Sequence, residues 1–187
     1  MSPRLRLGFI ALNDAAPVIA AQSLGYFADE GLAVDLSREV SWATVRDKVN
    51  VGALDGAHML APMALATSLG VGGSGAVPLA APFALNLDGP AVTLSSRLAG
   101  VIAADGGADG LARLVARRRE EGASPITLAV VFPYSVHNYL LRDWLAAAGI
   151  DPDRDVRLTV APPSRMSSTA PSSSSGSASS STVTFVR

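Results

Sequence analysis

Cysteine is absent from this chain, which removes disulfides, thiolate nucleophiles and cysteine metal sites at once. Histidine occurs only at His58 and His137, and nothing around either has metal-ligand spacing, so neither a metal nor another cofactor is expected. Charge is scarce and balanced: 15 basic residues stand against 16 acidic ones, which leaves no footprint for direct nucleic-acid binding. The one basic run, Arg117-Arg118-Arg119, is followed by Glu120 and Glu121 and reads as a solvated helix face. No apolar stretch is long enough to cross a bilayer, so membrane insertion is not expected. A hydrophobic export segment before the first strand-like run is also missing, and as written the chain reads as cytoplasmic. A misplaced start would hide such a segment, and the location would then be periplasmic. Catalytic signatures are lacking too. Gly72-Gly73-Ser74-Gly75 has neither the lysine nor the spacing of a phosphate loop. Ser135 is not set in a nucleophile elbow, and Asp14 and Asp47 do not form a carboxylate pair. The chain is not expected to be an enzyme, and no catalytic residue is assigned.

What is present is an apolar fraction of 49% in 187 residues, enough for a core. Leu5–Leu12 reads as a buried strand. Asn13-Asp14 then offers a helix cap, with Pro17 in the first turn and Ala15, Val18, Ile19 and Gln22 on one face. After Gly25, Tyr26-Phe27 forms an apolar plug, and Leu32, Val34 and Leu36 alternate as a second strand. Strand, helix, strand favours a parallel sheet with a right-handed crossover. A second helix starts at Ser41 as cap, with Val45 and Val49 inward. Ala57–Ala61 is a short apolar strand carrying His58, and Pro62 opens a third helix that ends near Gly70. Val77–Leu85 and 91–95 read as two strands, Ala108–Glu121 as a helix, Ile126–Phe132 and Val156–Val160 as strands. From Ser167 to Thr182 nearly every residue is Ser, Thr, Ala, Gly or Pro, which predicts a disordered tail.

The pivotal stretch is Phe132–Ile150. Pro133 ends a strand, Ser135 can cap the next turn, and Leu140, Leu141, Trp144, Leu145 and Ala148 make one helical face up to Gly149. His137 lies in the first turn, where free amides and the positive end of the helix dipole favour an anion. It is either an anion ligand or a histidine that merely caps or packs. Trp42 lies in the first turn after Ser41 and carries an indole N–H, a donor only; its ordinary alternative is a core aromatic. Thr44 and the amides following Asn13 are further candidates that could equally be plain caps. His58 reads as a satisfied core histidine and Trp144 as core.

Several of these pieces, in order, resemble the nitrate/bicarbonate substrate-binding proteins of ABC transporters. They are Leu7-Gly8-Phe9-Ile10-Ala11-Leu12-Asn13-Asp14-Ala15-Ala16-Pro17, Gly25-Tyr26-Phe27 with Glu30-Gly31-Leu32, Ser41-Trp42-Ala43-Thr44-Val45-Arg46-Asp47, and Asp55-Gly56-Ala57-His58-Met59-Leu60-Ala61-Pro62-Met63. The stretch from Phe132 through His137 to Trp144–Pro152 continues the likeness, which covers about residues 5–166. The resemblance implies an α/β, periplasmic-binding-protein-like fold of two lobes that close over a ligand by a hinge. It places the family's tryptophan contact on Trp42 and its histidine contact on His137, while a glutamine contact falls on Pro90 and so has no counterpart. The missing export segment is similar to the cytoplasmic branch, whose members sense nitrate or nitrite and release an RNA-binding antitermination regulator. The exported branch delivers anion to an ABC permease instead.

The resemblance also divides the chain: residues 1–95 as a first lobe and crossover, 96–166 as a partial second lobe, and 167–187 as a serine-rich tail. The likeness stops near Met166, so the second lobe is expected to be incomplete, as in a truncated or frameshifted product. Three readings follow: a cytoplasmic nitrate or nitrite sensor, the substrate-binding component of a nitrate/bicarbonate transporter, or a non-functional fragment of either.

Overall fold

The computed structural model describes residues 4–73, 75–86, 92, 94–104 and 106–161. Two parallel sheets organise them. In the first, β1 (Arg4–Ile10) pairs with β2 (Ala33–Glu39) along its whole length, from Arg4 opposite Ala33 to Ile10 opposite Glu39. On its other side β1 pairs with β3 (Gly56–Ala57), giving the order β2-β1-β3. The crossover from β1 to β2 runs through a 3-10 turn (Asn13–Ala15), α1 (Ala16–Ser23) and α2 (Tyr26–Asp29). That from β2 to β3 runs through α3 (Trp42–Asn50), and α4 (Ala61–Ser68) follows β3.

The second unit holds α5 (Ser96–Ala104), α6 (Ala108–Glu120), β4 (Ile126–Val130), α7 (Val136–Ala147) and β5 (Val156–Val160). Here β4 and β5 are parallel, joined through α7. Each sheet has its own core. The first gathers Ile10, Trp42, Val45, Val49, Met59 and Met63 with others of that unit. The second is built around Leu111, Leu145, Ile126, Val130, Ile150 and Val156. Phe132, just past β4, leaves its own sheet and packs into the first core, so the turn before α7 is clamped against the first unit. The Arg46 guanidinium lies 5.7 Å from the centre of the Phe132 ring and adds to that clamp.

Local chemistry sets the ends of both key helices. Ser41 Oγ accepts the Thr44 amide at 3.1 Å and Ser135 Oγ accepts the Asn138 amide at 3.1 Å, two expected N-caps. The stop after α7 is Gly149, whose φ of 75° suits glycine.

Four sequence expectations need correction. Asn13-Asp14 is not a side-chain cap: α1 begins at Ala16 with no capping side chain, because Asp14 is turned inward and buried. The α1 face is not sealed, since α1 has no buried residue and Ile19 stays exposed. The strand 77–85 does not form. Pro78 and Pro82 offer no N–H to a ladder, and the segment is tied instead by Val77 N–H to Thr67 O and Leu79 N–H to Ser68 Oγ. Within 91–95, Val92, Leu94 and Ser95 are in no strand and the rest lies outside the described residues. Helix α5 was not expected, although Leu98 and Ile102 repeat at helical spacing on one face. The serine-rich tail lies outside the described residues.

Candidate functional site

Parallel strands send their carboxyl ends, and the loops after them, to one edge of the sheet, where ligands of open α/β sheets bind. Asp14 follows β1, Trp42 follows β2 and His58 follows β3 directly, so the topology brings these three to one edge. The contacts agree. His58 Nε2 lies 3.3 Å from Asp14 Oδ2, and the Trp42 and His58 rings meet edge-on with centroids 5.1 Å apart. All three residues are at most 3% exposed. His137 arrives from the second unit, at the start of α7 behind the Phe132 clamp, near enough for the Asp14 carboxylate to act on it.

These side chains share an unusual property. Buried polar atoms are nearly always hydrogen-bonded, yet Trp42 Nε1, both nitrogens of His58, both carboxylate oxygens of Asp14 and His137 Nδ1 have no such partner. The 3.3 Å contact between His58 and Asp14 is misaligned for a hydrogen bond. Leaving such a group unpaired costs about 1–3 kcal/mol, more when it is charged. The local fold holds the cluster in place. The His58 amide donates to Gly8 O at 2.8 Å, and Asn86 Nδ2 donates to Asp14 O at 2.7 Å. Burial lowers the His137 pKa below its ordinary value, and the Asp14 charge pulls the other way more weakly. That shift favours the neutral imidazole, which has one N–H to give.

Of the residues singled out from sequence, Trp42 and His137 come to this edge with free polar atoms. Thr44 is engaged by the cap, its hydroxyl 2.9 Å from Ser41 Oγ. Asn13 is exposed in the 3-10 turn. Sequence reasoning missed Asp14 and His58. Taken as a satisfied core histidine, His58 is buried but unsatisfied. The available signal was positional, because both residues stand just after apolar strand segments, where a parallel sheet gathers its loops. Among the described residues no group of three or more His, Asp or Glu could hold a metal ion, and no helix is long and apolar enough to cross a membrane.

Two parallel sheets in succession, with helices in the crossovers and polar groups at the carboxyl edge, define a protein of the periplasmic-binding-protein-like class. The crystal structure of the periplasmic nitrate-binding protein NrtA from Synechocystis PCC 6803 superposes with a TM-score of 0.75 at 33% identity, covering 88% of this chain and 43% of that one. The chain belongs to the NMT1-like family, whose profile matches residues 1–174. It is 40% identical over 163 residues to the nitrate import ATP-binding protein NrtC of Synechocystis, across 87% of this chain and 24% of the relative. It is also 40% identical over 167 residues to the bicarbonate transport ATP-binding protein CmpC of Synechocystis, again across 87% of this chain and 24% of the relative. The chain thus spans about a quarter of the length of these two relatives.

Proposed function

We propose that this protein binds a small inorganic oxyanion, nitrate or nitrite, where its two lobes meet, and that it is a binding protein rather than an enzyme. In this assignment the first lobe and crossover are residues 1–95 and the partial second lobe is 96–166. Trp42 Nε1–H and the neutral imidazole of His137 donate to the anion. Asn13 and Thr44 add polar contacts from neighbouring first turns; a hydroxyl that accepts from Ser41 still has its own proton to give. One observation carries the reading: a buried, donor-only indole N–H with no partner, at the edge where such sheets bind ligands. Likeness to proteins named for nitrate and bicarbonate transport supports the choice of an oxyanion.

In its finer form the proposal makes the protein a cytoplasmic sensor whose anion-bound state releases an antitermination regulator. Delivery of the anion to an ABC permease is the second reading, and similarity to a nitrate import ATP-binding protein favours it. Nitrate-dependent release of a purified regulator would separate the two.

The test of anion binding is calorimetric titration of the chain with nitrate, beside Trp42→Phe, which keeps a ring and removes the N–H. A hydrogen bond to a charged group is worth about 1.5–3 kcal/mol. The variant should therefore bind about ten- to a hundredfold more weakly. Equal affinity in the variant, or no saturable binding by the folded parent chain, would refute the assignment.

A further inference from the structure

The anion site as proposed uses Trp42 and His137 and leaves Asp14 and His58 without a task. Both are buried, and none of their side-chain polar atoms has a hydrogen-bond partner. A carboxylate accepts and cannot donate. It gives nothing to an incoming anion and repels it, so its presence beside an oxyanion site needs an explanation. Its near neighbour supplies one. His58 Nε2 is 3.3 Å from Asp14 Oδ2, and a small turn of either group aligns an N–H donor with its acceptor.

That alignment fixes what the other ring nitrogen can do. With Nε2–H given to Asp14, a neutral imidazole presents a lone pair at Nδ1, which no acceptor anion will approach. An imidazolium presents a second N–H there instead. The charges point the same way: Asp14 with a neutral His58 carries −1 in a buried place, whereas Asp14 with imidazolium carries none. The edge-on contact with Trp42, at 5.1 Å between centroids, puts His58 beside the indole donor of the site.

The other charged groups of the packed elements are occupied elsewhere. On β1, Arg4 and Arg6 pair with Asp35 and Asp55 at the opposite end of the strand. On α3, Arg46 pairs with Asp47, and Lys48 with Glu39 of β2. Helix α4 has no titratable side chain. Among the described residues, Asp14 is the titratable group in contact with His58, and the same carboxylate acts on His137.

We infer, resting on the anion-binding reading above, that Asp14 and His58 form a proton-carrying pair. Asp14 is a positioning residue that holds Nε2–H, and His58 takes a proton from solvent as the anion enters and donates it from Nδ1. Nitrate, which only accepts hydrogen bonds, then enters together with a proton. An oxyanion with its own O–H can donate to the Nδ1 lone pair and needs none, so the same pair distinguishes nitrate from bicarbonate.

Calorimetry of nitrate binding near neutral pH, in two buffers of different ionisation enthalpy, counts the protons exchanged. The parent chain should take up about one proton per nitrate. His58→Gln should abolish the uptake, whereas His137→Gln should weaken binding and keep it. Uptake that persists in His58→Gln and vanishes in His137→Gln would overturn the inference, as would binding without uptake in the parent chain. The nitrogen-15 shifts of the His58 ring give a readout independent of affinity. They should show a proton on Nε2 in the free protein, and Asp14→Asn should alter that tautomer. If nitrate does not bind, the anion-binding reading fails first. A ring tautomer that depends on Asp14 would then keep only the Asp14–His58 contact, and the proton-carrying role would fall with anion binding; an indifferent one would sink the contact as well.

Discussion

The two sheets are made by the same device and differ in what they bury. Each is parallel, joined through helices, and ends its strands at a loop edge. The core of the second unit consists of Ile, Leu and Val alone among its fully buried residues. The first core includes Trp42, with His58 against its ring and Asp14 beside His58, and the side-chain polar atoms of all three find no hydrogen-bond partner. Thr67 and Asn50 of the same unit also hold unpaired buried oxygens, and among the described residues the second unit adds His137. Unpaired buried groups cost stability, so that cost is concentrated in the first unit. The second unit supplies an apolar support and brings one histidine within reach of Asp14 at its neighbour's polar edge.

The largest expected effect breaks the support. Leu145 is completely buried in the second core. Its replacement by alanine should cost about 2–5 kcal/mol. Hydrogen exchange locates that loss: amides of β4 and β5 should lose protection while those of β1 and β2 keep theirs. Equal loss in both sheets would mean that the Phe132 clamp makes one cooperative core of two, and the two units would not be separable.

A second experiment removes the chemistry. Replacing buried polar groups that lack hydrogen bonds by apolar residues of similar shape can be nearly neutral or stabilising. Asp14→Val combined with His58→Leu should therefore raise the urea midpoint while abolishing nitrate-linked proton uptake. A marked drop in the midpoint would show that the pair is structural.

The caps are where the two units should behave alike. Ser41→Ala and Ser135→Ala each remove one oxygen that accepts a first-turn amide. Each should cost about 1 kcal/mol. A much larger loss at Ser135, the more buried of the two, would mean that its hydroxyl supports the Phe132 clamp as well as the helix.

These caps were legible because capping is local: Ser41 and Ser135 each precede an apolar run of helical period, and nothing distant competes. The parallel strand–helix–strand order was legible for the same reason, as were the α7 face and its stop at Gly149. The 77–85 segment was misread because its apolar composition suits a strand while its prolines deny it a ladder. Asp14 and Asn13 looked like a cap from sequence alone. Whether an aspartate turns outward to cap or inward to face a histidine some forty residues on is decided by tertiary contact, which local pattern cannot express. His58 failed likewise: burial was readable from its apolar neighbours, but the absence of a partner for its ring exists only once β1, α3 and β3 are assembled.

The smallest effect tests the link between the units. Burial lowers the His137 pKa below its ordinary 6.5, with Asp14 opposing. Well above pH 6.5 the ring is neutral whether the chain is folded or not, and it contributes nothing to pH dependence. As the pH falls through 6.5 the unfolded chain takes up a proton that the folded chain resists, so the unfolded state binds more protons and stability declines. The parent chain should lose urea stability relative to His137→Gln between neutral pH and about pH 5.5. Removing the opposing charge by Asp14→Asn lowers the His137 pKa further and should steepen the decline measured against His137→Gln in the same background. Parallel pH profiles for the parent and His137→Gln would mean that the ring is effectively solvated, and the second unit would then contribute no buried polar group to the shared edge. A steepening with Asp14→Asn is the stronger result, because it requires the carboxylate of one unit to act on the imidazole of the other, which is the coupling a two-lobed site depends on.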